Sequence, residues 1–494
     1  MSDELPEGWV EATLGDVITG FEAGRNLRAN GGPASPGEYG VLKISAVTWG
    51  SFKPEENKGL LPGDVPKPHE RIRKGDLLIT RANTSDLVGA VVLVERDHPE
   101  LMLPDKILRL LPRYGGVESR YLLQALHTQA VRDHFERNAT GTSDSMRNLS
   151  QPKMAAAPIS VAPIPEQRRI VEAVEALLEQ VNGAKGRIDR VPLILKRFRR
   201  AVLAAACSGR LTERWSRVDR LPRRDVDLGE LPDLPEFPEE WGCGPLDAFT
   251  VRFQYGTSEK ADADEATGVP VLRMGNIQDG ALDLGDLKYI KRSRELDAFL
   301  VKPGDVLFNR TNSPELVGKT AVVTTTRPMT FASYIVRAQL NEQWLRPEFA
   351  SWWLNSGWGR AWARHVRTDG VSQSNINATK LAAMPIPLPS LTEQDEVIRR
   401  GTKLLALADA IERRVQAASA RADRLPQAIL SKAFSGELVP TEADLARAEG
   451  RAYETAEELL ARVGREVENG AGNATGSHRP TREVGQKHGR RAAR

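Results

Sequence analysis

Over residues 163–211 the apolar positions recur in alternating steps of four and three: Ile170, Val174, Leu177, Val181, Ala184, Ile188, Val191, Leu195, Phe198, Val202 and Ala205. This is the seam of a coiled coil, and it predicts one long helix, or two with a kink at Pro192. Glu166 and Gln167 open the stretch after a proline-rich turn, and Ser208 and Gly209 close it. The pattern returns 227 residues later, with Glu393 in the place of Glu166. Its second seam is Val397, Gly401, Leu404, Ala408, Ile411, Val415, Ala418, Ala422, Leu425 and Ile429. A helix with a narrow apolar stripe needs a partner, and a chain with two of equal length pairs them most economically with each other. The expectation is therefore an antiparallel pair about a pseudo-twofold axis; the alternative is two ordinary core-facing helices.

The sequence ahead of the first helix is dense in Gly and Pro. Short β-like runs at 39–47, 76–80 and 89–94 alternate with turn clusters, and a helical piece covers about 120–135. This predicts an α+β domain, with some mixed α/β character, on a curved antiparallel sheet. No βαβ alternation with a glycine-rich turn occurs, which argues against a nucleotide-binding fold.

The domain is also duplicated. LPEGWVEATLGDV at 5–17 is echoed by FPEEWGCGPLDAF at 237–249, and IRKGDLLITRANTSDLVGAVVLV at 72–94 by VKPGDVLFNRTNSPELVGKTAVV at 301–323. Gly75 is matched by Gly304 and Gly141 by Gly370, both 229 residues apart. A repeat of that length is duplication of a whole unit, since solenoid repeats are far shorter. The expected layout is a domain over 1–160, a helix over 161–210, a charged proline-rich linker over 211–236, a second domain over 237–388, a second helix over 389–438, and a tail over 439–494. The tail starts helically and becomes basic and disordered, with six Lys or Arg against one Glu over 471–494. The scaffold blocks match while 50–71 and 279–300 do not, as expected if two loop sets read two different targets.

Composition sets the class. At 494 residues the chain exceeds one core, and 40% apolar with 27% charged residues is ordinary for a soluble protein. No apolar run of about 18 residues and no signal peptide is present, so the expected location is cytoplasmic, with no membrane partner. Cys207 and Cys243 have no metal-ligand spacing, and both are read as structural. With a net charge of only +3, a nucleic-acid surface would depend on how charge is distributed.

Catalytic signatures are missing. ELVGKT at 315–320 resembles a phosphate loop, but Ser313 stands where its first glycine belongs. What remains is polar loop chemistry. Arg81, Asn83, Thr84 and Ser85 follow one strand-like run, and Arg310, Asn312 and Ser313 follow its repeat. Arg and Asn pair two-pronged with guanine and adenine edges, although a turn capped by Asn and Ser would have the same composition. A second pair of loops carries Ser143, Ser145 and Arg147, and Ser372, Gln373 and Asn375, where phosphate contact or helix capping is the expectation. Basic residues also gather at the end of the first helix: Lys196, Arg197, Arg199, Arg200 and Arg210.

Over about residues 5–438 this ordered, duplicated set resembles the specificity subunit of type I restriction-modification systems. Its carriers are the GW and EW openings, the KGD and PGD blocks ending in LVG, the PIPEQ and LTEQ turns, and the helices closing in SGRL and SGEL. The resemblance implies two target-recognition domains, each reading half of a split, asymmetric double-stranded DNA site. It implies a non-catalytic subunit whose helices set the spacing and dock two methyltransferase subunits. Those would bring S-adenosylmethionine and adenine-N6 methylation, and motor-nuclease subunits would bring ATP, Mg and cleavage; no cofactor would sit in this chain. The competing readings are the recognition part of another restriction system, a stand-alone nuclease or methyltransferase with fused recognition domains, and a coiled-coil scaffold.

Overall fold

The computed structural model describes residues 5–48, 50–143, 146–213 and 237–474. Most of the expected linker, Ser145, and the basic end of the tail lie outside the described residues. The chain divides into two compact units, Met1–Gly186 with Ser419–Arg494, and Arg187–Ala418. Both divisions fall inside the long helices.

Unit 1 is centred on an antiparallel four-stranded sheet in the order Val91–Leu93, Leu77–Thr80, Ile107–Pro112, Ile18–Ala23. Leu77–Thr80 is buried along its whole length. Side chains of a strand alternate between faces, so Leu77 and Ile79 enter one apolar cluster and Leu78 another. The first cluster is closed by helices Ser119–Leu126 and Gln129–Asn138, which contribute Tyr121, Leu122, Val131 and Phe135. The expected single helical piece is thus two helices, broken at His127 and Thr128. The second cluster lies beneath a sheet ordered Asn57–Gly59, Gly40–Leu42, His98–Met102, Arg71–Ile72. The expectation of purely antiparallel strands fails in this sheet. Gly40–Leu42 and His98–Met102 run parallel, because the chain between them crosses over through several other strands.

Unit 2 repeats the plan, with sheet order Thr250–Tyr255, Ile335–Leu340, Val306–Asn309, Thr320–Val322. Val306 and Phe308 enter one cluster and Leu307 the other. Helices Pro347–Asn355 and Gly357–Val366 cover the first face.

The helical seam is distributed between the units. In unit 1, helix Ile164–Ile188 buries Ile170 and Val174 in the same cluster as Leu430 of helix Leu425–Phe434, with Ile429 packed against it. Arg169 pairs with Glu442 at 2.8 Å, while Lys185, further along, pairs with Asp423, so the two segments are antiparallel. In unit 2, helices Val191–Cys207 and Leu391–Ala422 do the same. Arg199 holds Asp409 at 2.6 Å and Glu412 at 2.7 Å, and Arg400 donates to the Leu211 carbonyl at 2.7 Å. Leu195, Val202 and Val397 are buried; Leu177, Val181, Ile188, Leu404 and Val415 are half-buried.

Two seam assignments are corrected. Leu425 is 45% exposed, because the second helix also breaks, at Asp423 and Arg424 ahead of Pro426, and restarts in a new phase that buries Leu430. Ile411 is 36% exposed, since Arg199 draws the Asp409 and Glu412 side of that helix towards its partner. The first helix breaks between Ile188 and Val191, ahead of Pro192.

Beyond Pro440, helices Glu442–Glu449 and Ala456–Ala474 fold back onto unit 1. The Ala456 amide donates to the Gly8 carbonyl at 2.8 Å, Arg447 pairs with Glu7 at 2.7 Å, and Leu459 and Val463 are buried.

Candidate nucleic-acid interface

The residues that make the two halves alike turn out to be structural. Glu166 is fully buried and accepts from the Trp9 indole N–H at 3.0 Å and from the Glu442 amide at 2.8 Å. Burial pushes its carboxyl above the usual glutamate range, against the pull of those donors. In the second unit Glu393 accepts from the Trp241 indole at 3.0 Å and from the Thr212 hydroxyl at 2.7 Å. The neighbouring glutamines act alike: Gln167 accepts from the Glu118 amide and donates to the Ala162 carbonyl, while Gln394 accepts from the Arg346 amide and donates to the Pro389 carbonyl. The opening Trp and the EQ pair are therefore two ends of one lock that fixes each domain to the start of its helix.

The GD blocks are a second lock. Gly75 and Gly304 turn with φ of 89° and 90°, presenting Asp76 to Arg109 at 2.8 Å and Asp305 to Arg337 at 3.2 Å. Gly89 and Gly318 of the LVG blocks also have positive φ, and a Cβ on Gly89 would lie 2.4 Å from the Phe135 ring. Lys319 runs into strand Thr320–Val322 rather than a helix, and its ammonium donates to Gln278 at 2.6 Å. A phosphate loop needs a helix N-terminus at that point, so ELVGKT is not one.

These locks carry the polar loops, which the structure brings together in pairs. In unit 1, Ala82–Asn83 pairs with Met146–Asn148, which pairs with Thr140–Ser143, making a small three-stranded sheet. Arg147 stands opposite Asn83. Arg81 is held through its backbone, its N–H on the Lys106 carbonyl and its C=O accepting from the Leu149 amide, and its side chain is half-buried. The Asn83 side chain accepts from the Thr84 amide at 2.9 Å, and the Thr84 carbonyl receives the amides of Leu87 and Val88. Asn83, Thr84 and Ser85 thus form the capped turn that was the alternative reading.

Unit 2 has the same sheet, Thr311–Asn312 with Ser374–Asn375 and Thr368–Asp369. Asn312 caps the Ser313 amide at 2.8 Å. Arg310 is committed within the fold: its guanidinium lies 4.9 Å from the Tyr255 ring centroid and donates to Ser333 and to Asn375 Oδ1. Asn375 donates in turn to Thr311 at 2.8 Å. Ser372 and Gln373 are exposed at the loop tip, and the adjacent helix is capped by Asn377, so these residues do not cap it. Ser374 is buried on Asp369, whose carboxyl is held below the usual range by that hydroxyl and by Arg367. At the end of the first helix, Arg199 is taken up by ion pairs, while Lys196, Arg197 and Arg200 are exposed.

Sequence reasoning missed both locks and the meeting of the two loops. The signal for the first was present in the near-equal intervals from Trp9 to Glu166 and from Trp241 to Glu393. Among the described residues no group of three or more His, Cys, Asp or Glu is placed to hold a metal, and no helix is long and apolar enough to cross a membrane.

No family model matches the chain. It is 26% identical over 453 residues to the EcoKI specificity subunit of Escherichia coli K12, covering 88% of this chain and 90% of that protein. The StySPI specificity subunit of Salmonella potsdam is 27% identical, with the same coverage of both. The EcoBI specificity subunit of Escherichia coli is 33% identical over 306 residues, 61% of this chain and 62% of the relative. Among solved structures, the HsdS subunit from Thermoanaerobacter tengcongensis superposes with a TM-score of 0.54 at 20% identity, covering 88% of this chain and 98% of that one. A chain from a study of type I R-M complex assembly gives 0.62, also at 20% identity, covering 88% of this chain and all of that one. With the duplicated locks and loop sheets, these relatives place the chain among the specificity subunits of type I restriction enzymes.

Proposed function

We propose that this chain is the DNA-reading subunit of its restriction complex, recognising a site in two unlike halves, one for each globular domain. The observation that carries the reading is the recurrence, in both units, of a small sheet bearing an Arg-x-Asn turn on a buried, rigid strand. A rigid scaffold with diverged polar loops is what two related but different readers require. The helical segments dock two methyltransferase subunits and, through them, the motor-nuclease subunits, and they set the gap between the half-sites. S-adenosylmethionine, ATP and Mg belong to those partners, and this chain performs no methyl transfer or cleavage of its own.

The test is reconstitution with the methyltransferase subunits, followed by sequencing of the modified DNA. The expected product is methylation at two fixed short sequences separated by a constant gap of arbitrary sequence. Arg81→Ala relaxes the preference in one half alone, at about 1–3 kcal/mol if the contact is a two-pronged base pairing. A single continuous site, or methyl transfer by this chain alone, overturns the reading.

A further inference from the structure

Beside each small sheet a cleft opens at the same place in the fold. In unit 1 it is about 500 Å³ and in unit 2 about 660 Å³. Both are built alike. The Arg81 amide donates to the Lys106 carbonyl at 3.0 Å, and the Arg310 amide to the Tyr334 carbonyl at 2.9 Å, so the cleft wall is hydrogen-bonded to the start of the polar loop. In each, a glycine packs tightly against the residue that directly precedes the lining segment 104–106 or 332–334. A Cβ on Gly24 would lie 1.5 Å from the Leu103 carbonyl oxygen, and one on Gly256 would lie 2.2 Å from that of Phe331. A short 3-10 turn, Ile44–Ala46 or Met274–Asn276, also lines each cleft.

The linings differ in sign. The unit 1 cleft carries Arg25, Lys43, Lys58 and Lys106 against Asp105. Arg25 is spent on Glu70, and Lys43 reaches Glu56 at 3.4 Å, but Lys58 and Lys106 are exposed with no ion pair among the described residues. The unit 2 cleft carries Glu259, Asp283 and Asp286 against Arg273, which Asp286 already holds at 3.0 Å. Met274 and Tyr334 line it too, the latter 45% exposed.

We infer that these clefts, together with the adjoining loops, are where each domain meets the base edges of its half-site, and that the two clefts select bases of opposite hydrogen-bonding character. This rests on the DNA-reading function proposed above. Lys58 and Lys106 donate to acceptor-rich edges, above all guanine O6 and N7. In unit 2 the carboxylate of Glu259 accepts from an exocyclic amino group such as cytosine N4, and Tyr334 and Met274 contact a thymine methyl.

The test uses the chain assembled with its methyltransferase subunits, and libraries in which one half-site at a time is randomised. Lys106→Ala should cut discrimination about tenfold at one or two positions of one half-site, and Tyr334→Ala or Glu259→Gln should do so only in the other. Positions relaxed by Lys106→Ala should favour guanine in the parent complex. If each variant weakens all sequences equally and lowers the salt slope by about one, the clefts touch phosphate alone and the inference fails. It fails equally if the parent complex selects two half-sites and all three variants leave every preference intact. A parent complex without split specificity would instead sink the function on which it rests.

Discussion

Glu166 shows how a residue can be invariant between the two halves of this chain for reasons unrelated to DNA. Its carboxylate is the shared acceptor of the Trp9 indole and the Glu442 amide, both buried, and Glu393 repeats the arrangement with Trp241 and Thr212. Removing a shared acceptor leaves two donors without partners, at about 1–3 kcal/mol each. Glu166→Ala should therefore lower the stability of unit 1 by about 3 kcal/mol, and Glu393→Ala that of unit 2 by less, because the Thr212 hydroxyl keeps the Gly209 carbonyl at 3.2 Å as an acceptor. Hydrogen exchange resolved along the chain checks this: loss of protection should be confined to the unit carrying the change. Equal loss in both units, or none, would show that the lock is not what fixes the domain to its helix. Arg81 and Arg310 give the converse lesson. They occupy the same position in the repeat, yet among the described residues only Arg310 has its guanidinium bound into the fold, on Tyr255 and Asn375. Nothing in RANTS or RTNSP distinguishes them, because the stacking ring comes from a strand more than fifty residues away.

Among the elements, the long helices were the most legible, since a seam in steps of three and four depends only on helical geometry. Their breaks were half legible. Pro192 marked the first, and Pro426, which plays the same part in the second, lies inside the seam as read, which is why Leu425 was misplaced. The sheets were less legible, because strand pairing over tens of residues leaves no periodic trace, and the parallel pair in unit 1 leaves none. The packing of domain on helix is complementary in a way the sequence hides. Asn355 and His127 each bond the edge-strand carbonyl at the same point of the repeat, Thr320 and Val91, so Trp352 corresponds to Gln124 three residues earlier. Gly401 of the second helix packs against Trp352, and its repeat position on the first helix is Val174. A Cβ on Gly401 would lie 2.4 Å from the Trp352 ring, so the glycine makes room for the larger side chain. In a helix interior, Gly→Ala ordinarily gains about 1 kcal/mol. Here Gly401→Ala should destabilise unit 2, by about 1–3 kcal/mol of overpacking. Trp352→Leu in the same chain should restore the ordinary gain, and denaturant titration of the two variants against the parent decides it. A stabilising Gly401→Ala in the parent background would show that the ring yields freely.

At the scale of the whole molecule, duplication was legible and its departures were not. Unit 1 has something that its counterpart lacks among the described residues, a pair of helices returning from the end of the chain. The sequence showed their helical character, but not what they cover, since their target is built from residues far earlier in the chain, Gly8 and Glu166 among them. The extension supplies the Glu442 amide to the Glu166 lock, and Glu442 itself is buried against Arg169 and Arg451, at 2.8 and 2.6 Å. Ala456, Leu459 and Val463 add apolar burial, and burying a Leu or Val side chain contributes about 1.5–3 kcal/mol. Ending the chain after Pro440 should therefore remove several kcal/mol from unit 1 and nothing from unit 2, because every one of these contacts lies within unit 1. Hydrogen exchange can separate the two: strands Val10–Thr13 and Pro158–Val161 should lose protection, while Gly242–Pro245 and Pro385–Leu388 keep theirs. Since each unit has its own core, the shortened chain should also separate thermally, with unit 1 unfolding well below unit 2. Unchanged protection in Val10–Thr13 would mean that the first domain closes without its extension, and that the helices after Pro440 are an ornament on a complete fold.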